Sequence, residues 1–383
     1  MEQLVTSDFK LGIIAGGQLG KMLALAASRW DVKTYILDSD DHCPASTVCT
    51  RFVEGDYRDF EKVYEFGQQV DMVTFEIENV NVEALRKLKQ EGKRIYPDPE
   101  VLAMIQDKGV QKQFYLEHGI PSPAFVLCDG REQVIKSIGE GVQFPFVQKA
   151  RKAGYDGKGV VVVRGEGDLG KLLDVPCVVE RAVDIDKELA VIVTRNGRGE
   201  MACFSAVEMV FNPEANLVEL LVSPAEIDAD VQDRAIELAR QVTEKSGIQG
   251  VLAVELFLDT DGELWVNEAA PRPHNSGHHT IESAITSQYE QHLRAIFNFP
   301  LGSTDLKRPA VMMNLLGDRE HEGPVRYEGL TESMAIPGVK VHIYGKKETR
   351  PFRKMGHVTI VSPTTDEAKK HAVRVRDLLK VKS

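Results

Sequence analysis

The run Val251-Leu252-Ala253-Val254-Glu255-Leu256-Phe257-Leu258 is rich in strand formers, and Asp261-Gly262 separates it from a second run ending at Glu268. Asp-Gly is a preferred pair for a two-residue hairpin turn, because its positive backbone angles match the twist of the flanking strands. A turn at Asp261 and Gly262 sets Glu263 against Thr260, Leu264 against Asp259 and Trp265 against Leu258. Carried along the ladder, this register puts Glu268 opposite Glu255 on one face, with Cβ atoms roughly 4.5–5.5 Å apart. Like charges this close in an apolar hairpin need a cation or a proton to relieve them. Hard oxygen donors suit magnesium, which takes one or two carboxylates and completes its octahedron with phosphate and water. A solvated hairpin end is the competing reading. Strict alternation turns Asn267 to the opposite face unless a bulge intervenes.

Two further segments offer donors to a phosphate. Gly154-Tyr155-Asp156-Gly157-Lys158-Gly159 lies between expected strands at 146–149 and 160–163. It lacks the Walker pattern and opens no helix, yet such a loop can wrap N–H groups around phosphate oxygens. Lys149 precedes it and brings an ammonium to the same place; a flexible hairpin turn is the alternative. Directly after Glu268, Pro271-Arg272-Pro273-His274-Asn275 forms an extended arm held by its prolines. The Arg272 fork suits a carboxylate, bicarbonate or phosphate, and His274 and Asn275 add hydrogen bonds. A zinc site on His274, His278 and His279 is the rival reading, but the prolines hold this arm extended and no helix is expected to align its histidines. Near the end, Lys346, Lys347, Arg350, Arg353 and Lys354 form a basic run that is either a solvated face or a grip on a phosphorylated substrate.

Net charge is −11 over 383 residues, which argues against broad nucleic-acid or anionic-membrane binding. No stretch approaches the roughly 20 apolar residues of a membrane span, and no signal peptide is evident. The five cysteines are scattered and odd in number, so neither a disulfide framework nor a zinc site is suggested and a reduced cytoplasm is expected.

The chain opens with strands alternating with helices, which implies a parallel sheet whose ligand crevice lies at the strand carboxyl ends. Ala15-x-Gly17-x-x-Gly20 with Asp38 about 20 residues on resembles a dinucleotide fingerprint. That makes a nicotinamide-dependent oxidoreductase one reading, but alanine replaces the first glycine and the hairpin stays unexplained. We expect this turn to hold a substrate phosphate instead. Pro97 and Pro99 mark a boundary, residues 233–245 a helix, residues 334–338 and 341–344 strand-like segments, and Thr365 the start of a closing helix.

Together these segments resemble the ATP-grasp superfamily and, within it, the 5-(carboxyamino)imidazole ribonucleotide synthase family of purine biosynthesis. The resemblance is carried by Gly16-Gly17-Gln18-Leu19-Gly20, Thr74-Phe75-Glu76-Ile77-Glu78-Asn79, the 154–159 loop, Asn267 through His278, and Arg350 through His357. It implies an α/β chain with an ATP-grasp fold. An N-terminal Rossmann-like parallel-sheet domain would span 1–97, and the ATP-grasp domain 98–300, with a lid at about 120–185. A small β-rich C-terminal domain would span 301–383. It also implies a homodimer that uses ATP and Mg2+ to carboxylate aminoimidazole ribonucleotide with bicarbonate, through carboxyphosphate.

Position by position, the resemblance assigns ATP contacts to Lys108, Lys149, Gly154, Tyr155, Asp156, Gly157, Lys158, Gly159, Glu180, Val183, Glu188, Phe211, Asn267 and Glu268. Glu180, with the backbone of Ala182 or Val183, would take the adenine edge and Glu188 the ribose. Glu255 and Glu268 match the magnesium ligands. Arg272, His274 and Asn275 match the bicarbonate pocket, and Asp156 and Lys158 face the transfer chemistry. Gln18, Leu19, Glu76, Lys346, Arg350, Arg353 and Lys354 would grip the ribonucleotide. Two departures stand out: Phe211 replaces a common histidine, and Phe352 a common glycine. A formate-using transformylase of the same superfamily, or a non-catalytic nucleotide sensor, would share the carboxylate pair.

Overall fold

The computed structural model describes residues 6–152, 159–212 and 217–383. Near the N-terminus, five parallel strands stand in the order Arg51–Glu54, Lys33–Asp38, Lys10–Ile14, Met72–Phe75, Arg94–Ile95. Side chains from both faces are buried: Leu11, Ile13 and Ile36 join one apolar cluster, while Ile14, Leu37, Val73 and Phe75 join another. Burial on both faces is why these strands read as continuous apolar runs.

The strand order reverses between Lys10–Ile14 and Met72–Phe75, which opens a crevice at their carboxyl ends. There the N–H groups of Gly17 and Gly20, at the start of the helix Gln18–Ser28, donate to Glu76 at 2.6 and 2.9 Å. Gly16 N–H donates to Asp38 at 2.7 Å. The donors expected to meet a phosphate therefore meet two carboxylates of the chain itself. Burial pushes the Glu76 carboxyl up to about 7 against the opposing pull of its two N–H bonds. Ala15, where the fingerprint has glycine, takes φ 71.

Next comes a four-stranded antiparallel sheet in the order Phe125–Cys128, Cys177–Arg181, Phe146–Ala150, Val160–Val163. A nine-stranded sheet carries the carboxylate hairpin at one edge. Strands Ala310–Leu316 and Lys354–Val361 extend this same sheet, joined to it through Leu220↔Met313 and neighbouring pairs. The C-terminal segment is thus hydrogen-bonded into the sheet that holds the site. Expected strand at 334–338 is instead the end of a helix, Leu330–Met334, and a turn at Gly338 with φ 80. A Cβ on Gly338 would meet the Val361 carbonyl oxygen at 1.9 Å, so the close approach of two backbones decides this segment. The closing helix runs Thr365–Leu378, capped by the Thr364 hydroxyl. No helix among the described residues is long and apolar enough to cross a membrane.

Phe352 takes φ 61, the left-handed region that favours glycine, and Arg319 sits 5.5 Å over its ring. The glycine that the resemblance leads one to expect at this position would suit that backbone.

The helix Gln288–Ile296 joins the two large sheets, sending Tyr289, Leu293 and Ile296 into the N-terminal core. His292 on the same helix is fully buried. Val251 N–H donates to its Nδ1 at 3.2 Å, which leaves the proton on Nε2, 2.8 Å from Thr74 Oγ1. One imidazole thereby satisfies a polar group from each sheet. We predict that His292→Phe, which keeps a ring but strands both partners, costs about 2–4 kcal/mol in denaturant unfolding. A loss under about 0.5 kcal/mol would mean that this bridge contributes nothing net.

Candidate active site

The hairpin is formed by Gly250–Asp259 and Leu264–Ala270. Its loop has three residues rather than two. Asp259 N–H donates to the Glu263 carbonyl at 2.9 Å, and Leu258 pairs with Leu264. The Asp259 carboxylate accepts from the N–H groups of Asp261 and Glu263 at 3.0 and 2.8 Å, and Gly262 takes φ 82. This side-chain cap, together with a glycine in the left-handed region, favours the longer loop. The outer rungs are therefore displaced by one residue from the expected register: Trp265 faces Phe257, and Val266 faces Leu256. A bulge at Asn267 then restores it, and Glu255 faces Glu268 as expected. The bulge also turns Asn267 to the carboxylate side, where its amide lies 3.5 Å from Glu255 and its oxygen accepts from Lys149 at 2.8 Å.

Two lysines meet this face and a third stands behind them. Lys108 begins the helix Lys108–Glu117 and is ion-paired with Glu268. Asp107 caps that helix and also takes both Arg151 Nε and NH2, at 2.8 and 2.9 Å. This two-point grip ties the start of the helix to the chain just beyond Lys149. Lys149 reaches the Glu180 carboxylate at 2.9 Å, and the other Glu180 oxygen lies 3.3 Å from Lys112. Glu180 and Lys112 are almost fully buried, at 3% and 2% side-chain exposure. The Glu180 carboxylate thus anchors two ammonium groups. Glu188, from the strand Ile185–Arg195, pairs across to Phe257, and burial raises its carboxyl to about 7.

The arm after the hairpin is clamped from several sides. Arg272 forms an ion pair with Glu78 at 2.6 Å and donates to the Pro273 carbonyl at 3.0 Å. Gln288 accepts from the His274 N–H at 2.8 Å and donates to its carbonyl at 2.7 Å. The Ser276 N–H donates to His274 Nδ1 at 3.3 Å, so Nε2 carries the proton and points toward Glu255 at 3.6 Å. Burial, helped by the charges of Arg272 and Lys354, lowers His274 to about 3, so its ring is neutral. Asn275 and Asn314 exchange amide hydrogen bonds at 2.9 and 3.0 Å. Lys346 donates to the Lys354 carbonyl at 2.7 Å, and burial lowers it to about 8. The charge of Lys354 reaches His274 and that of Glu76 reaches Lys346, so the basic run borders both the arm and the N-terminal crevice.

Among the described residues no group of three or more His, Cys, Asp and Glu side chains could hold a metal ion. A hard cation at Glu255 and Glu268 would therefore have to draw further oxygens from a ligand, as magnesium does from phosphates.

Three family models tile the chain: the ribonucleotide synthetase preATP-grasp domain at 9–106, the ATP-grasp domain at 113–289, and the phosphoribosylaminoimidazole carboxylase C-terminal domain at 310–371. The N5-carboxyaminoimidazole ribonucleotide synthase of Bacillus subtilis is 35% identical over 96% of this chain and 95% of its own. The chain belongs to the N5-carboxyaminoimidazole ribonucleotide synthase family. A crystal structure of the synthetase of that name from Thermotoga maritima superposes with a TM-score of 0.90 at 43% identity, covering 98% of this chain and 99% of that one. The Aspergillus clavatus synthase, solved with ADP and 5-aminoimidazole ribonucleotide, gives 0.88 at 30% identity, over 97% and 99%. The chain spans 64% of the length of a plant phosphoribosylaminoimidazole carboxylase that it matches at 38% identity.

Within this synthase fold, the structure brings Lys108, Lys149, Glu180, Glu188, Glu255, Asn267, Glu268, Arg272, His274 and Asn275 to one region. Leu19 is buried in the N-terminal core, so its side chain is a packing element. Arg350 is exposed, and Arg353 donates to the Glu348 carbonyl at 2.7 Å. Phe211 packs beside the small cluster of Ala190, Val207, Met209, Leu221 and Met312. Gly154, Tyr155, Asp156, Gly157 and Lys158 lie outside the described residues, while Gly159 is described. Sequence reasoning gave no role to Glu78, Lys112, Gln288 or Asn314. Glu78 stood inside a segment already singled out, and its nearness to Glu76 was the available signal.

Burial raises the Glu255 carboxyl above its ordinary 4.5, and the facing Glu268 and Glu188 add to that. Burial pushes the more open Glu268 the same way, but Lys108 outweighs it and holds that carboxyl low. A carboxyl raised on folding binds its proton more tightly in the native state. Its stabilising contribution is whole below about pH 4.5 and is lost as pH rises through the raised value. We predict that the nucleotide-free protein loses melting temperature across that window and that Glu255→Gln flattens the loss. Above it the variant should gain roughly 1–2 kcal/mol over wild type. Parallel melting curves of the two proteins against pH would refute the assignment.

Proposed function

We propose that this protein carboxylates 5-aminoimidazole ribonucleotide with bicarbonate at the expense of ATP. The products are N5-carboxyaminoimidazole ribonucleotide, ADP and phosphate, in de novo purine biosynthesis. The observation that carries this reading is the shared face of Glu255, Asn267 and Glu268, met by Lys108 and Lys149 and continued directly into the Arg272–Asn275 arm. Cations suited to phosphates thus adjoin a fork suited to a small anion.

Bicarbonate oxygen attacks the γ-phosphorus, giving carboxyphosphate and ADP; carboxyphosphate breaks into carbon dioxide and phosphate, and the exocyclic amine captures carbon dioxide and releases a proton. Lys108 and Lys149 would bind and orient the phosphates by charge-assisted hydrogen bonds. Arg272, whose plane is fixed by Glu78, would hold the bicarbonate and then the carboxylate end of carboxyphosphate. Neutral His274 can donate from Nε2 without adding charge, and Asn275, locked by Asn314, presents a fixed amide. Glu255 and Glu268 would hold magnesium, which when bound offsets phosphate charge. Glu76, Lys346 and Lys354, at the N-terminal crevice, would grip the ribonucleotide, and Asp156 and Lys158 would serve the transfer. Exclusion of water on closure would protect the water-sensitive intermediate. The family resemblance also leads us to infer a homodimer, Mg2+ as the metal and a cytoplasmic location.

The test measures ADP release with bicarbonate or formate, each with and without aminoimidazole ribonucleotide. Release that needs both bicarbonate and the ribonucleotide is the expected result; a response to formate alone would point to a transformylase. Glu268→Gln should lower turnover at least about 100-fold while changing unfolding free energy by under about 1 kcal/mol, and turnover near wild type would remove its role. Arg272→Lys should raise the KM for bicarbonate about tenfold or more, because the charge stays but the fork is lost. An unchanged bicarbonate KM would move that anion elsewhere.

A further inference from the structure

Lys112 has no part in the roles assigned above, yet it is a charged side chain at 2% exposure. It lies one turn beyond Lys108 on the same helix, so the two ammonium groups share a face. Its Nζ is 3.3 Å from Glu180 Oε1 and 6.0 Å from the centre of the Tyr115 ring. Neither that Nζ nor that Oε1 makes a well-directed hydrogen bond in the structure. The other Glu180 oxygen holds Lys149 at 2.9 Å, and Lys149 also donates to Asn267. One buried carboxylate therefore has two ammonium partners, of which only Lys149 also reaches the hairpin.

We propose that Lys112 is a positioning residue for the nucleotide: it stays on Glu180 as a permanent counter-charge and so leaves Lys149 free to turn to the phosphates. This rests on the ATP site proposed above. The physical reason is the cost of an unpaired buried charge. A carboxylate at 3% exposure cannot be left without a partner, and breaking a buried pair by removing one member is strongly unfavourable. With Lys112 in place, transfer of Lys149 to a phosphate leaves an intact pair behind. Without it, Lys149 becomes the sole partner of Glu180, and phosphate must compete with that carboxylate for one ammonium.

Removal of Lys112 should thus weaken nucleotide binding through Glu180, and only while Glu180 carries its charge. Lys112→Met is expected to raise the KM for ATP, and the Kd for magnesium–ADP, by about 10- to 100-fold, with kcat at saturating ATP within about threefold. Glu180→Gln weakens binding by itself, because Glu180 is also assigned the adenine edge, and serves as the reference background. Adding Lys112→Met in that background should change both constants by less than about threefold. A further loss of about tenfold or more there would overturn the proposal, since Lys112 would then touch the phosphates itself. Equal losses in kcat and KM for Lys112→Met would also overturn it. If Lys112→Met alone does not fold, the double variant measured against Glu180→Gln still decides the matter. The ADP titration does not depend on which acid is carboxylated. A wild type that binds ADP but ignores bicarbonate would therefore fail the function reading while leaving this inference open to the same test.

Discussion

Two glutamates opposed across a largely buried hairpin repel, and much of the site is arranged around that repulsion. Lys108 is ion-paired with Glu268, which leaves Glu255 as the carboxyl most easily protonated. Lys149 stands one contact further out, shared between Asn267 and Glu180, and Lys112 stands behind it. Even His274, which points its protonated nitrogen at Glu255, is kept neutral by burial and by neighbouring cations. In the structure it is lysines that balance these carboxylates, Lys108 on Glu268 and Lys149 on Glu180, so a bound cation would compete with the first and a bound phosphate would draw on both lysines. Binding would then be an exchange of partners more than a creation of new charge contacts.

Positive groups meet from elements far apart in the chain, and shared hydrogen bonding fixes where they meet. The Asp107–Arg151 grip links the start of one helix to the end of the strand Phe146–Ala150, so Lys108 and Lys149 keep a common frame. At the other side, the strands Ala310–Leu316 and Lys354–Val361 belong to the sheet that carries the hairpin, which brings Asn314 and Lys354 to the arm. At the N-terminal crevice the carboxylates of Glu76 and Asp38 take the glycine N–H groups that a dinucleotide pyrophosphate would need.

Much of this was legible in the sequence where the information is local. Alternating strands and helices gave the parallel sheet, and the Asp-Gly pair marked the hairpin tip. What local reading missed was long-range. The partners Glu78–Arg272, Asn275–Asn314 and Lys112–Glu180 are separated by 39 residues or more, and no spacing rule connects them. The strand expected at 334–338 failed for a similar reason, since Gly338 is shaped by a backbone over twenty residues away. The dinucleotide-like turn was misleading because its pattern describes the loop and says nothing of which acid fills it.

The carboxylate pair itself was read correctly through a register that is wrong over the outer rungs. A loop one residue longer than expected and a bulge one residue beyond Val266 cancel. Such an arrangement uncouples the tip of the hairpin from its functional end. Side chains alternate with a period of two, so a single inserted or deleted residue at a tip normally inverts everything below it. With an irregularity stationed between tip and site, the facing of Glu255, Asn267 and Glu268 is set from the sheet side. A change in turn length would therefore be absorbed at the tip, while the rung of Glu255 and Glu268 keeps its facing.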